Sequence, residues 1–361
     1  MKAVVVNEID NYGVTDVDLD PPKSGEVLIK LKATGVCHSD LSIANGTIPI
    51  PLPVVLGHEG AGVVEQVGEG VTNVVPGDHV AISFIPSCGE CFHCLRRESY
   101  LCTVAPQDGN LFDGTTRVHQ NGKNIFVMSF CGLMAEYAVV PAACVIAIGK
   151  DLDFKAAALV GCGVSTGVGA VIKTAKVPIG ATVAVFGCGG VGLNVVQGAR
   201  LAGAAKIIAI DLSAEKMDLA RNFGATDTIS PDGNAVKEIF EKADGMGVDY
   251  AFEVVGSGKL VEQCFKATRK GGTVVVVGVG RMDDKFSVRQ PIIVFTSKTL
   301  MGSMYGGVNF KTDFPMYLEL YRQGKLDLDS LVTKTYSLED AMEAFADLEK
   351  GVNARGVIVH S

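Results

Sequence analysis

The chain has 361 residues, enough for two domains, with 48% hydrophobic residues, 20% charged residues and a formal net charge of −8. That balance excludes a disordered chain, and scattered basic residues with no run of five like charges exclude a nucleic-acid footprint. The first apolar run, Ala3–Val6, is too short for a signal peptide or a membrane span. The expected compartment is the cytosol, where clustered cysteines are metal ligands more often than disulfides.

The first 153 residues carry short apolar segments broken by turns. Val27–Ala33 and Ala61–Val67 read as strands, and Pro76-Gly77-Asp78 is a turn before a strand at His79–Ser83. Turn residues at such short intervals predict a β-rich, barrel-like or sandwich unit. Cys88, Cys91, Cys94 and Cys102 follow in the pattern C-x2-C-x2-C-x7-C. Four thiolates at that spacing close a tetrahedron around one zinc ion with no open position, which describes a structural site.

The pattern changes near Asp153. Phe154–Leu159 reads as a helix, and Val164–Thr174 has small residues at helical spacing. Strand Thr182–Phe186, a glycine turn, a helix to about Ala202, strand Lys206–Ile210 and helix Ala214–Phe223 then alternate, and the alternation continues to Val274–Gly278. Such alternation predicts a doubly wound parallel sheet. Helices are expected again at Asp313–Gln323 and Leu338–Leu348.

Gly187-Cys188-Gly189-Gly190-Val191-Gly192 fits G-x-G-x-x-G between a strand and a helix, and Asp211 ends the next strand. The glycines let backbone approach a pyrophosphate at a helix N-terminus. Asp211 would accept the adenosine ribose hydroxyls and repel a 2′-phosphate, which favours NAD over NADP, and Lys216 is within reach of the same ribose. A plain glycine turn with an ordinary strand-end aspartate, or a flavin site, are the alternatives.

Six cysteines remain outside the lobe: Cys37, Cys131, Cys144, Cys162, Cys188 and Cys264. Cys37, His58 and Cys162 lie in glycine-flanked turns, and two thiolates with one imidazole make an open zinc site. Burial as small hydrophobes is the competing reading for each cysteine. Cys131, Cys144 and Cys264 are expected in the core, and Cys188 at a variable position of the glycine turn. His79 is expected to be structural, and His119 and His360 to be exposed loop or tail residues.

The segments GHEGAGVVEQVGEGV, the four-cysteine lobe, GCGVSTGVGAV and VAVFGCGGVGLNVV resemble, in order and spacing, the zinc-containing medium-chain alcohol dehydrogenase family. The resemblance covers essentially the whole chain. It implies a GroES-like catalytic domain (1–153 and 300–361, with the zinc lobe at about 85–105) interrupted by a Rossmann domain (154–299). It implies two zincs per chain, NAD, and a homodimer or homotetramer joined through a strand edge, for which Pro291–Gly302 is the expected segment.

By the same resemblance Cys37, His58 and Cys162 are the catalytic zinc ligands, Asp40 orients His58, and Glu59 lies near the metal. Ser39 begins a proton relay, which in many relatives ends on a histidine where this chain has Ser42. His38 and Arg355 would touch the pyrophosphate, and Thr166 would belong to the coenzyme site. Ser39 and Phe84 would line the substrate pocket, with Met128, Phe130 and Ile48–Leu52 as further candidates.

The implied reaction is reversible oxidation of a primary alcohol, aromatic or allylic, to an aldehyde. A thiol-dependent formaldehyde dehydrogenase, using glutathione or mycothiol, is the alternative. Against the glutathione form, Thr103–Pro106 lacks the arginine such relatives carry, and NGTIPIPLP replaces a longer acidic segment. A non-catalytic zinc and nucleotide-binding protein is the alternative of another class.

Overall fold

The computed structural model describes residues 1–104, 109–230 and 234–361, in two units: 1–162 with 309–361, and 163–308. The lobe's expected end at 105, and Ala105–Pro106 of the Thr103–Pro106 stretch, lie outside the described residues.

In the first unit, strand Glu26–Val36 organises a seven-stranded sheet. Its alternate residues Val27, Ile29, Leu31 and Ala33 are fully buried, as a period of two requires. Gly60–Val67 pairs antiparallel along one side. On the other side Tyr137–Pro141 takes the first half and Arg355–Val359 the second. The last strand therefore returns to the first sheet and carries Arg355 with it. A six-stranded sheet, built around Lys2–Glu8 and Lys123–Val127, completes the β-rich unit.

The second unit contains a six-stranded, all-parallel sheet. Its spatial order is Asp227–Ile229, Lys206–Ile210, Thr182–Phe186, Val248–Glu253, Thr268–Val276, Thr299–Gly302. In chain order that is 3-2-1-4-5-6, the doubly wound arrangement whose order reverses between Thr182–Phe186 and Val248–Glu253. Ala184, Val185, Ile208, Ala251, Phe252 and Val274 are fully buried, because helices cover both faces of such a sheet.

Both domain boundaries differ from the expected 153/154 and 299/300. Helix Phe154–Leu159, capped by the Asp153 carboxylate on the Lys155 N–H at 2.7 Å, packs on strands Glu26–Val36 and Gly60–Val67 of the first unit. Its alanine-rich face suits either sheet, so the sequence does not assign it. Thr299–Gly302 pairs with Thr268–Val276 and belongs to the second unit. The expected helix Val164–Thr174 divides into an α-helix, Gly163–Gly169, and a π-helix, Ala170–Ala175. Helices Phe310–Arg322 and Ala341–Glu349 lie close to the expected positions.

Candidate active site

The lobe cysteines meet. All four Sγ atoms of Cys88, Cys91, Cys94 and Cys102 lie within 4.8 Å of one another. Cys88 and Cys94 are 3.8 Å apart, and Cys91 and Cys102 4.0 Å. A Zn–S bond of about 2.3 Å gives a tetrahedral edge of about 3.8 Å, so zinc fits. The Phe92–Leu95 helical turn aims Cys94 inward, with the Cys91 sulfur accepting the Cys94 N–H at 3.5 Å. Backbone N–H groups of Thr103 and Cys94 pull the Cys91 thiol down to about 5, while burial pushes Cys94 up to about 12. A metal-free lobe would thus hold a mixture of thiolate and thiol that a cation could convert to four ligands.

A second cluster joins Cys37, His58, Glu59 and Cys162, again within 4.8 Å, and all four are buried. Cys37 precedes helix His38–Ala44, and His58 and Glu59 precede strand Gly60–Val67. Asp40, fully buried, binds these pieces together. Its Oδ2 accepts the Cys37 N–H at 3.2 Å, and its Oδ1 accepts the Gly57 N–H at 2.9 Å and lies 3.2 Å from His58 Nδ1. Nδ1 faces Asp40, and Nε2, the nitrogen left to a metal, is buried with no hydrogen-bond partner. That orphaned nitrogen beside two thiols is the donor set of an open zinc site.

Electrostatics support the same fit. The Cys162 thiol, hydrogen-bonded to Cys37, draws the Cys37 pKa well down against burial, with help from the His58 and Arg355 charges. The same bond and burial push Cys162 up. Burial opposes charging of His58, but Asp40 and the Cys37 thiolate overcome it and raise its pKa. Burial pushes Glu59 up to about 7 despite Arg355. Two thiols and a carboxyl thus compete for negative charge in one buried volume, which a divalent cation would relieve.

The coenzyme turn belongs to the second unit. Gly187 has φ +103°, a left-handed conformation that glycine adopts without strain. A Cβ on Gly192 would fall on the Gly187 carbonyl oxygen, so helix and strand touch there, whereas a Cβ on Gly189 meets nothing within 4 Å. Tight turn, open approach and close packing are the three tasks of a dinucleotide-binding turn. Gly190 and Val191 open helix Gly190–Leu201. Asp211 Oδ2 accepts the Cys188 N–H at 2.7 Å and Oδ1 the Ser213 N–H at 2.9 Å, which fixes the carboxylate beside the turn. Lys216 is half-buried in the first turn of helix Ala214–Phe223.

Residues 23–150 match the alcohol dehydrogenase GroES-like domain and residues 190–323 the zinc-binding dehydrogenase domain. An S-(hydroxymethyl)glutathione dehydrogenase of Escherichia coli is 42% identical over 352 residues, covering 96% of this chain and 95% of that protein. The chain belongs to the zinc-containing medium-chain alcohol dehydrogenase family. Benzyl alcohol dehydrogenase from Acinetobacter calcoaceticus superposes with a TM-score of 0.94 at 31% identity, covering 100% of this chain and 99% of that one. A zinc-binding dehydrogenase of Sinorhizobium meliloti, solved with NADP, gives 0.82 at 28% identity, covering 99% and 98%.

Other expected residues of this alcohol dehydrogenase fold fall as follows. Ser39 Oγ lies 3.8 Å from Cys37 Sγ, and the Phe84 ring stands edge-on to His58 at 5.4 Å. His38 is exposed, Ser42 half-buried and Thr166 half-buried on helix Gly163–Gly169. Met128 packs in a core cluster with Val4 and Val54, against which Ile48, Ile50 and Leu52 also pack. Phe130 is buried in another cluster, against Phe112. Cys131, Cys144, Cys188 and Cys264 are buried.

Two residues near the end of the chain turn inward, and His119, expected in an exposed loop, lies half-buried in strand Val118–Gln120. Arg355 is buried and paired through Nη2 with Glu59, and its Nε has no hydrogen-bond partner. A Cβ on Gly35 would strike this pair, so that glycine makes its room. His360, expected in an exposed tail, is only 9% exposed, and its Nε2 lies 3.0 Å from Thr34 Oγ1. Strand pairing of Arg355–Val359 with Glu26–Val36 carries both inward. Position late in the chain gives no hint of this.

Proposed function

We propose that this alcohol dehydrogenase oxidises an uncharged primary alcohol, aromatic or allylic, with NAD, and reduces the aldehyde in reverse. The observation that carries the reading is the buried Cys37–His58–Cys162 cluster with an unpartnered His58 Nε2.

Cys37, His58 and Cys162 would hold the catalytic zinc, and Cys88, Cys91, Cys94 and Cys102 the structural one. When bound, zinc supplies a Lewis acid that acidifies a hydroxyl, and NAD supplies the hydride acceptor. Asp40 keeps the His58 ring oriented, with Nδ1 toward the carboxylate and Nε2 toward the position the metal would take, and makes Nε2 a stronger donor. Ser39 Oγ takes the proton from the alcohol hydroxyl and passes it outward, and Ser42, a poor base, leaves the end of that path to solvent. Phe84 forms an apolar wall beside His58. Arg355 compensates the Glu59 charge behind the ligands. Arg355 and His38 would also touch the pyrophosphate, and Thr166 would belong to the coenzyme site. The Gly187–Gly192 turn receives the pyrophosphate, and Asp211 the ribose hydroxyls. Among the described residues, no helix is long and apolar enough to cross a membrane.

The second reading, a thiol-dependent formaldehyde dehydrogenase, is favoured by the 42% identity to the E. coli protein. The missing arginine in Thr103–Pro106 weighs against it. NADH formation at 340 nm with benzyl, cinnamyl and aliphatic alcohols, against formaldehyde with glutathione or mycothiol, separates the two. Turnover confined to formaldehyde plus thiol would sink the free-alcohol reading. NADP in place of NAD as the better coenzyme would overturn the role given to Asp211.

Assembly is proposed through the edge strand Thr299–Gly302 and the preceding helix Gln290–Thr296, where Val294 and Phe295 are 61% and 79% exposed. A monomer by light scattering would refute it.

A further inference from the structure

Glu253 is the last residue of strand Val248–Glu253, and it is fully buried. It sits opposite Phe186, the residue before the glycine turn, where the strand order reverses. In open parallel sheets ligands bind in the crevice at that point, outside the carboxyl ends of the strands. A buried glutamate there is unusual, because burying a carboxyl is costly unless its oxygens are engaged.

One oxygen of Glu253 is fully engaged. Oε1 accepts three consecutive backbone N–H groups, from Val255 at 2.9 Å, Gly256 at 2.8 Å and Ser257 at 3.2 Å. Oε2 is buried with no hydrogen-bond partner. The turn that these bonds gather is pressed between its neighbours. Gly256 has φ +88°, and a Cβ there would collide with the Val279 and Gly280 backbone. Cβ atoms on Gly278 and Gly280 would collide with Gly256 in return. Asp284 holds the far end through the Gly258 N–H at 2.7 Å.

The turn in turn supports the coenzyme loop. Val254 N–H donates to the Phe186 carbonyl at 3.2 Å. Val255 Cγ2 and Val254 Cγ2 lie where a Cβ on Gly187 would project, and Val254 Cγ2 also borders Gly192. Two glycines of the coenzyme turn therefore rest on side chains whose backbone is set by Glu253.

We propose that Glu253 is a positioning residue of the coenzyme site: by tying down residues 254–257 it holds Val254 and Val255 against the glycine turn and so sets coenzyme affinity. This rests on the coenzyme reading above. Glu253 acts through the turn and not on substrate, zinc or the reacting carbon. Asp211 performs the matching task on the other side of the turn, through Cys188 and Ser213. The two carboxylates brace the flanks of one loop.

The test uses the full, zinc-replete chain, with NADH binding followed by nucleotide fluorescence, and KM for NAD, kcat and the melting transition measured in parallel. Glu253→Ala should raise the NADH Kd and the KM for NAD about tenfold, with kcat at saturating NAD and zinc content unchanged. Glu253→Gln keeps an oxygen for the three amides and should stay within about threefold of the parent. Val255→Ala, at a position 56% exposed, removes the brace without touching the carboxylate and should weaken NADH about threefold at an unchanged melting temperature. Parent-like NADH affinity in Glu253→Ala overturns the proposal. If that variant does not fold, parent-like affinity in Val255→Ala overturns it instead. So does Glu253→Gln losing as much affinity as the alanine variant, since charge would then matter and not the turn. A parent chain that binds neither NADH nor NADPH would bring down the coenzyme reading itself, and is distinguished because no variant is then needed to see it.

Discussion

The two cysteine clusters use the same chemistry for opposite ends. In the lobe, four half-exposed thiols within one short stretch fill all corners of a tetrahedron. In the second cluster, two buried thiols and an imidazole come from separated segments, with the Glu59–Arg355 ion pair beside them. Local spacing alone can close the first site. The second exists only once the sheet around Glu26–Val36 has formed, so its burial and the pairing of its fourth candidate ligand, Glu59, with Arg355 are properties of the fold. A closed site can add stability only, whereas an open, buried one can present a metal to a substrate.

The comparison breaks most readily at the open cluster. Cys162→Ser should lose one zinc per chain and reduce turnover on the order of 10³-fold, the loss of several kcal/mol of charge stabilisation, while the melting temperature changes little. Metal analysis alongside NADH formation checks it, and retention of both zincs with near-parent turnover would refute the ligand assignment.

Cys94→Ser should produce the converse. One zinc is again lost, but the melting transition falls on the order of 10 °C, and turnover measured well below that transition survives per folded molecule. Turnover abolished in a chain that still melts like the parent would erase the distinction between the clusters.

Acid gives the smallest effect and tests the frame of the buried site alone. His360 is buried beside Thr34, and burial lowers its pKa from 6.5 to about 4. The unfolded chain takes up this proton below about pH 6.5, while the folded chain resists until about 4. Stability is therefore complete above pH 6.5 and is lost as pH falls toward 4, by at most about 3 kcal/mol. Denaturant midpoints between pH 7 and 4.5 should fall less in His360→Gln than in the parent. Parallel curves for the two would remove His360 from the acid response.

What the sequence disclosed follows from the range of the forces involved. Strands Thr182–Phe186 and Lys206–Ile210 and helix Ala214–Phe223 occur where expected, because an apolar run or a helical period bounded by glycine or a capping serine is a local signal. The four-cysteine lobe is local too. Arg355 and Glu59 are 296 residues apart, and nothing near either one announces the other. Met128 and Phe130 pack in core clusters, and the sequence does not announce this, since an apolar side chain in a loop suits a core or a pocket lining alike. Glu253 reads from sequence as an ordinary strand-end carboxylate, and only its three amide partners distinguish it.

The discontinuity of the first unit has a consequence for synthesis. Residues 163–308 form a contiguous unit, but the cluster of Cys37, His58 and Cys162 lies in a unit whose sheet is completed only by Arg355–Val359, which also brings a counter-charge to Glu59. Ribosomes add about 5–20 residues per second, so several seconds separate the synthesis of residue 308 from that of Arg355, and until then Glu59 lacks its ion-pair partner. The first candidate ligand, Cys37, is thereby separated by more than 300 positions from the strand that brings the counter-charge to the cluster.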